Sequence, residues 1–465
     1  MSEDSIQVGL DEIAENGQNN RDTSRRHIRQ LGIKSPEGWK EIRIGEIGEL
    51  DTSSVNKKSD VEEKSVKLVN YMDVYENYVI DDKIDYMEVT APDSQIERSQ
   101  VVPGDILFTP SSEEPGDIGN SAVVTEEMER TLHSYHTVRL RPASNDIQLD
   151  IGFSGWLMNA PYVAKQFSRR ATGSTRYTLT LNDFAETRVL VPPVSEQRKI
   201  SSVLYTVDQA IQKNKEIREK AKSVEEVAKT EFFTQGYSEW EVQESVGWRC
   251  RANQFPKDWK VKTADELMEI TRGASPRPRS DDSLFGGDIP WIKIGDANRD
   301  ESKRIEEVDS YVTEKGKSKS KFVEEGTLLV ANSGATCGFS IFAGVDGCVH
   351  DGWLVLRGYD DFSPDFLYHY INWNYDYLQS LSLGSAQTNL STSLFGRLDI
   401  PIPPLQEQQQ IVEALDSVGE IIALASTEID RLQRLKQGLM QNLLSGEVRT
   451  HDKDIEVVDD VLQYG

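Results

Sequence analysis

Two stretches of the chain space their apolar residues alternately by three and four. In the later one, Ile411, Leu415, Val418, Ile422, Ala425, Ile429, Leu432, Leu439 and Leu443 keep the spacing with one gap at Lys436, the mark of a coiled-coil seam. In the earlier one, Ile200, Leu204, Val207, Ile211, Ala221 and Ala228 fit, Asn214, Arg218 and Glu225 intrude, and Ile217 and Val224 lie one position off. Each predicted helix runs about 40 residues, or roughly 60 Å at 1.5 Å per residue. Neither can hide its seam from water alone, so the nearest partner for each is the other. The spacing leaves parallel and antiparallel pairing open. Globules at opposite ends of the pair would require antiparallel.

Between these stretches the pattern is different. Short β-branched and aliphatic runs such as Val66-Lys-Leu-Val69, Ile106-Leu-Phe108, Val138-Arg-Leu140, Trp291-Ile-Lys-Ile294, Thr327-Leu-Leu-Val330 and Leu354-Val-Leu356 are broken by Gly, Pro and Asp turns. They read as strands. Residues 153–170 and 364–381 carry aromatics at helical spacing and read as helices. The class is α+β.

The chain repeats itself. Gly173-Ser-Thr-Arg-Tyr-Thr-Leu aligns with Gly384-Ser-Ala-Gln-Thr-Asn-Leu, and Val191-Pro-Pro-Val-Ser-Glu-Gln197 with Ile402-Pro-Pro-Leu-Gln-Glu-Gln408, both at an offset of 211 residues. Upstream, Pro36-Glu-Gly-Trp39 matches Pro256-Lys-Asp-Trp259, and Gly104-Asp-Ile-Leu-Phe108 matches Gly326-Thr-Leu-Leu-Val330, at offsets of 220 and 222. A unit this long is a duplicated domain followed by a duplicated helix, not a solenoid repeat. The expected organisation is a polar tail (1–35), a globule (36–190), a helix (191–236), a linker (237–255), a globule (256–400), a helix (401–449) and an acidic tail (450–465). Proline ends each globule because it cannot continue a ladder.

Composition narrows the function. The 465 residues suggest about three domains' worth of chain. No stretch approaches the roughly 18 consecutive apolar residues of a membrane span, and the polar start has no secretory core, so a soluble, cytoplasmic protein without a membrane partner is expected. Three cysteines (Cys250, Cys337, Cys348) cannot build a disulfide framework, and reduced thiols are expected. The net charge of −26 argues on its face against a nucleic-acid partner. Halophilic cytoplasmic proteins carry such an excess, and much of it lies in surface-type segments such as Asp452 to Asp460.

Two divergent globules, each closed by a Gly-Ser turn, then Pro-Pro-x-x-Glu-Gln, then a long heptad helix, resemble the specificity (S) subunit of type I restriction-modification systems. The resemblance runs from about Pro36 to about Arg449. It implies two α/β target-recognition globules in tandem repeat, separated by two long helices paired as an antiparallel coiled coil. Each globule would read one half of an asymmetric, bipartite double-stranded DNA site. The helices would space the half-sites and dock two methyltransferase subunits, through which restriction subunits join. The resemblance also implies that this chain binds no cofactor, while S-adenosylmethionine, ATP and Mg²⁺ are used by the partner subunits. Three features depart from the family: the charged middle of the first helix, the acidic balance and the uncovered tails.

DNA contacts should come from Arg and Lys on loops, because Arg grips guanine with two donors and Lys holds phosphate. Arg272, Arg277 and Arg279 crowd one Pro-containing loop, and Arg169, Arg170, Arg176 and Tyr177 bracket the first Gly-Ser turn. Lys57, Lys58, Lys319 and Lys321 are weaker candidates. Most such charges are merely solvated, although in so acidic a chain a local basic cluster stands out. The seam residues Ile200, Leu204, Val207, Ile211, Ile411, Leu415, Val418, Ile422, Ile429 and Leu432 are the candidates for helix pairing and partner docking. Glu196-Gln197 and Glu407-Gln408 sit in first turns, where capping accounts for them.

No residue is expected to be catalytic or to bind metal. His133 and His136 lack the companions of a zinc site. Asn159-Ala-Pro-Tyr162 is like the tetrapeptide that holds a flipped base in amino-methyltransferases, but its second residue is not proline, it falls in an expected helix, and no glycine-rich cofactor loop accompanies it. Two other readings stand beside specificity: a non-catalytic coiled-coil scaffold for protein partners, and an enzyme in its own right, against which the missing cofactor loops weigh.

Overall fold

A computed structural model of the chain describes residues 34–57, 60, 63–143, 147–238, 241–244, 249–297, 302–359, 362–383 and 389–458. Lys58, the second Gly-Ser segment (384–388), residues 1–33 and residues 459–465 lie outside the described residues. The chain divides into unit 1 (Met1–Ile211 with Arg431–Gly465) and unit 2 (Gln212–Asp430). Each long helix, Val194–Gln235 and Leu405–Leu444, therefore contributes one part to each unit.

The duplication seen in the motifs extends to topology. Unit 1 holds a five-stranded sheet in the order Gly48–Thr52, Val138–Pro142, Ile106–Phe108, Ser121–Val124 and Val79–Ile80, antiparallel until the last, parallel pair. Unit 2 repeats it with Glu269–Arg272, Trp353–Arg357, Leu328–Ala331, Ser340–Ala343 and Arg304–Ile305, in the same directions. Beside it lies a second sheet, three-stranded in unit 1 (Met87–Ala91, Lys64–Val69, Thr131–His133) and four-stranded in unit 2 (Tyr311–Val312, Phe285–Ile292, Gly347–Val349, Lys321–Val323). A two-stranded ladder joins the beginning of each globule to its end: Lys40–Arg43 with Arg188–Val191, and Lys260–Thr263 with Asp399–Ile402. The central strands are buried on both faces, so they read as continuous apolar runs.

The helices expected at 153–170 and 364–381 are each two. Ile151–Leu157 is followed by Pro161–Arg170, and Pro364–Trp373 by Tyr375–Leu383. In unit 1 the break holds Asn159, whose amide accepts from the Ser121 backbone N at 3.0 Å and donates to the Ser121 carbonyl at 2.7 Å. Proline then starts the next helix. Asn372 clamps Ser340 in the same way, accepting at 2.8 Å and donating at 3.1 Å. The Asn159 tetrapeptide thus lies at a helix break rather than within a helix, and its asparagine is spent on a strand.

The helix seam pairs antiparallel. In unit 1, Ile200 and Leu204 share an apolar cluster with Met440, Leu443 and Leu444. In unit 2, Phe233 shares one with Ile411 and Leu415. Ile211, Ile422 and Ile429 are buried, while Val207, Val418 and Leu432 are half-buried. Lys436, the gap in the pattern, has a physical explanation. Its ammonium lies 4.0 Å from the ring centroid of Tyr78 and 4.9 Å from that of Trp156, and it pairs with Asp208. A cation there ties helix to globule where an aliphatic side chain would only fill the seam.

The Glu-Gln pairs do more than occupy first turns. Glu196 accepts the Trp39 indole N–H at 3.0 Å, two bonds from the Arg449 guanidinium at 2.9 Å each, and the Thr450 backbone N–H at 3.1 Å. Glu407 accepts the Trp259 indole N–H at 3.1 Å and the Tyr237 N–H at 2.9 Å. Gln197 and Gln408 accept the backbone N–H of Asp150 and Ser363, the residues that cap the next helix of each globule. The repeated Trp and the repeated Glu-Gln are therefore bonded to each other. The first-turn amides of Glu196, Gln197 and Gln408 donate to the Pro193 and Pro404 carbonyls instead, which leaves the side chains to the buried donors around them.

Candidate nucleic-acid interface

In each unit the edge strand of the five-stranded sheet runs out into a loop that lies beside the loop entering the neighbouring strand. In unit 2 these are 273–281 and 350–352. Gly273 N–H donates to the Trp353 carbonyl at 2.8 Å and Ala274 N–H to the Val349 carbonyl at 3.0 Å. A Cβ at Gly273 would sit 2.2 Å from the His350 carbonyl oxygen, so only glycine allows this approach.

Asp351 is the hub of the pair. Its carboxylate accepts from Ser275 Oγ at 2.6 Å, lies 3.1 Å from His350 Nε2 and pairs with Arg277 Nη2 at 3.5 Å. Its carbonyl accepts from Arg272 Nε at 2.7 Å. Lys319 Nζ donates to the Arg277 carbonyl at 3.1 Å, bracing the loop from a second segment. Arg272, Arg277, Arg279 and Lys319 are all exposed, whereas Lys321 is half-buried within a strand. The His350 Nδ1 accepts from the Gly352 N–H at 2.9 Å.

Two titrating groups sense the local field. Burial pushes His350 below the usual imidazole value, and Arg279, Lys293 and Arg272 push it further, against the opposing pull of Asp351. Burial opposes ionisation of Asp351, but the Ser275 hydroxyl, His350 and Arg272 outweigh it and hold the carboxyl below its ordinary value. The two loops themselves carry Arg277 and Arg279 against Asp281 and Asp351, and the positive excess of the place comes from Arg272 and Lys319 beside them.

Unit 1 builds the same place from other residues. The loop after Gly48–Thr52 carries exposed Lys57, and the loop entering Val138–Pro142 carries exposed Tyr135 and His136, whose rings lie 3.8 Å apart. Tyr135 N–H donates to the Val55 carbonyl at 2.9 Å, pinning the loops together. Arg176 joins from the first Gly-Ser turn and donates Nε to Ser111 Oγ at 3.1 Å. The Tyr71 hydroxyl donates to the Ser111 carbonyl at 2.9 Å, and its ring stacks on Tyr75 with centroids 5.9 Å apart. Burial and then Lys57 and Arg176 lower the pKa of His136.

The remaining candidates lie elsewhere in unit 1. Arg169 is exposed at the end of the helix Pro161–Arg170, and Arg170 donates to the Glu186 carbonyl at 3.2 Å. Tyr177 pairs in a short ladder with Ser112 and packs against the core. Tyr71, Lys293 and Asp351 escape a reading of the sequence, and His136, weighed there only as a metal ligand, gains its place beside Lys57 and Arg176 from the fold. None belongs to a local motif, and they meet only because strands distant in sequence are neighbours in the sheet.

His133 and His136 do not converge. The first is buried against Thr137 and the second is exposed. Among the described residues no group of three or more His, Cys, Asp or Glu could hold a metal ion. No described helix is long and apolar enough to cross a membrane. All three cysteines are buried and unpaired with one another.

The family model described as the type I restriction modification DNA specificity domain matches residues 36–223 and 256–434. The putative type I restriction enzyme MjaX specificity subunit of Methanocaldococcus jannaschii is 22% identical over 419 residues, covering 89% of this chain and 94% of its own length. The type I restriction enzyme EcoKI specificity subunit of Escherichia coli (strain K12) is 23% identical over 215 residues, 42% of this chain and 44% of its own. The crystal structure of a type I restriction-modification S subunit from M. genitalium superposes with a TM-score of 0.54 at 13% identity, over 89% of this chain and 96% of that one. A structure from a type I system, described in terms of complex assembly and conformational transition, gives 0.55 at 19% identity, over 89% and 100%.

Proposed function

The chain belongs to the type I restriction modification DNA specificity domain family, and from that premise we propose that its two paired-loop sites each read one half of a split, asymmetric DNA sequence. The observation that carries this reading is the recurrence of one site at one place in both units, each time with cations and each time with different side chains. In unit 2 the side chains are mainly guanidinium and ammonium groups. In unit 1 they are two cations among aromatics. A duplicated frame with unlike readers fits unlike half-sites.

The chain itself performs no chemistry in this reading. S-adenosylmethionine, ATP and Mg²⁺ are used by methyltransferase and restriction subunits, and the complex works in the cytoplasm. Two methyltransferase subunits dock on the helices. In support, Ile217, Val224 and Val227 on the first helix and Ile421 and Leu424 on the second stand exposed outside the buried seam, with Leu424 69% accessible. Water-exposed aliphatic residues at helical spacing are what a further helix would cover.

The test is co-expression with the cognate methyltransferase subunit and mapping of methylated bases in host DNA by long-read sequencing. A split motif with two unlike halves and a fixed gap, lost on deletion of this chain, is the expected result. Methylation unchanged by the deletion would overturn the reading and leave the protein scaffold as its successor.

A further inference from the structure

An arginine that is to read a base has an entropic handicap. Its side chain gives up rotamer freedom when a base fixes it, unless the protein has fixed it beforehand. Arg277 is partly fixed in this way. One arm of its guanidinium is 3.5 Å from the Asp351 carboxylate, and its backbone carbonyl is held by Lys319. Asp351 is fixed in turn by Ser275 and His350. The loop that carries Arg277 is pinned at Gly273 and Ala274, and again where Asp281 N–H meets the Pro278 carbonyl at 3.1 Å.

Stability does not account for so much organisation. The Arg277 side chain is 65% exposed, and an ion pair so open to water adds little to a fold. Nor does it suit a phosphate clamp, because a carboxylate beside the cation repels phosphate and cancels the charge that would attract it. A one-armed pair leaves the other edge of the guanidinium free. That edge matches the O6 and N7 acceptors of guanine in the major groove, where a bidentate arginine discriminates roughly 5- to 150-fold, which is about 1–3 kcal/mol at 1.4 kcal/mol per tenfold.

We propose that Arg277 reads a guanine in the half-site of unit 2 and that Asp351 is its positioning residue, orienting the guanidinium and keeping it off phosphates. The inference rests on the DNA-reading function above and names the base chemistry of one of its two sites. Asp351 touches no base. It acts through Arg277, and Ser275 acts through Asp351.

The test uses the full chain assembled with its methyltransferase subunits, carrying Arg277→Lys, Arg277→Ala, Asp351→Asn or Ser275→Ala, each followed by long-read methylation mapping. Binding to target and to random duplexes is measured alongside as a function of salt. The Arg277 variants should relax a single G·C position by about tenfold or more, leaving the other half and the gap unchanged. Asp351→Asn should relax the same position while tightening binding to random DNA and steepening its salt dependence. A merely structural role for Asp351 would not produce that combination. Ser275→Ala should give a weaker form of the Asp351→Asn effect.

The unit 1 half-site is the internal control for folding and assembly. An unchanged motif with Arg277→Lys and Arg277→Ala, or relaxation at an A·T pair, would overturn the assignment to guanine. Loss of discrimination with Asp351→Asn but no gain in random binding would overturn the positioning role. A wild-type complex with no split motif would instead overturn the DNA-reading function itself.

Discussion

Glu196→Gln tests how the duplicated motifs hold unit 1 together. Glu196 is 1% exposed and receives four hydrogen bonds, two of them from the Arg449 guanidinium. Glutamine has the same shape, yet it carries no charge and presents an NH₂ where one oxygen stood. Each oxygen takes two of the four bonds, so two donors, one of them on Arg449, then face another donor. Hydrogen bonds to a charged partner are worth about 1.5–3 kcal/mol each. With two arginine bonds weakened, and a discount for the 23% exposure of the Arg449 side chain, the local loss is about 2–3 kcal/mol.

That loss should act first on the segment after the second helix. Arg449 and Thr450 bind Glu196, the Thr450 and Lys453 carbonyls accept from Lys199, and Val458 N–H donates to Ser202. Hydrogen exchange of peptides spanning 445–458 should accelerate about 30- to 150-fold, at roughly 1.4 kcal/mol per tenfold, while unit 2 peptides around Glu407 stay unchanged. Acid should reproduce the effect. The bonds from Arg449, Thr450 and Trp39 outweigh the cost of burial and hold Glu196 below the usual glutamate value. Its contribution is therefore present above the unfolded pKa and lost as pH falls through the lower, folded one. Exchange in 445–458 within threefold of wild type would refute the reasoning.

Burial pushes His133 down to about 3, with Arg139 and Arg141 adding to it, so the fold requires the neutral ring. Stability in unit 1 should be full above pH 6.5 and fall as pH drops from there toward 3, by up to about 1.4 kcal/mol per pH unit. His133→Gln should flatten that slope in urea titrations. Gly273→Ala places a methyl against the His350 carbonyl and should displace the loop that carries Arg277; DNA binding by the assembled complex should weaken about tenfold or more, and unit 2 should lose about 1–3 kcal/mol of stability in urea titrations, because the clash is with backbone. Ile217→Ser with Leu424→Ser removes exposed apolar surface and should weaken copurification of the methyltransferase subunit without lowering the melting temperature of the free chain.

Sequence alone determined what depends on periodicity and on repetition. The heptad spacing of Ile411 to Leu443 encodes a paired helix because a stripe of aliphatic residues on a 40-residue helix must be covered. The offsets between Trp39 and Trp259, and between the two Pro-Pro-x-x-Glu-Gln segments, disclose the duplication because a repeated frame keeps the residues its packing needs. Arg277 and Arg279 were legible as a basic loop because proline and arginine crowd a short segment, whereas Arg272, expected on the same loop, ends the strand that leads into it. Antiparallel pairing was not determined, since the 3-4 spacing is the same in both directions, and it is decided by the clusters that Leu204 shares with Leu443 and Phe233 with Leu415. Glu196 as a receptor for Trp39 was hidden for a similar reason. A carboxylate in a first turn has a sufficient local explanation, and 157 residues separate it from the indole it binds. Asp351 beside Arg277, and His136 beside Lys57 and Arg176, exist only once the strands are laid side by side. Local sequence sets the conformation of each segment through short-range sterics and burial, whereas a site is a meeting of side chains that only long-range strand order brings together.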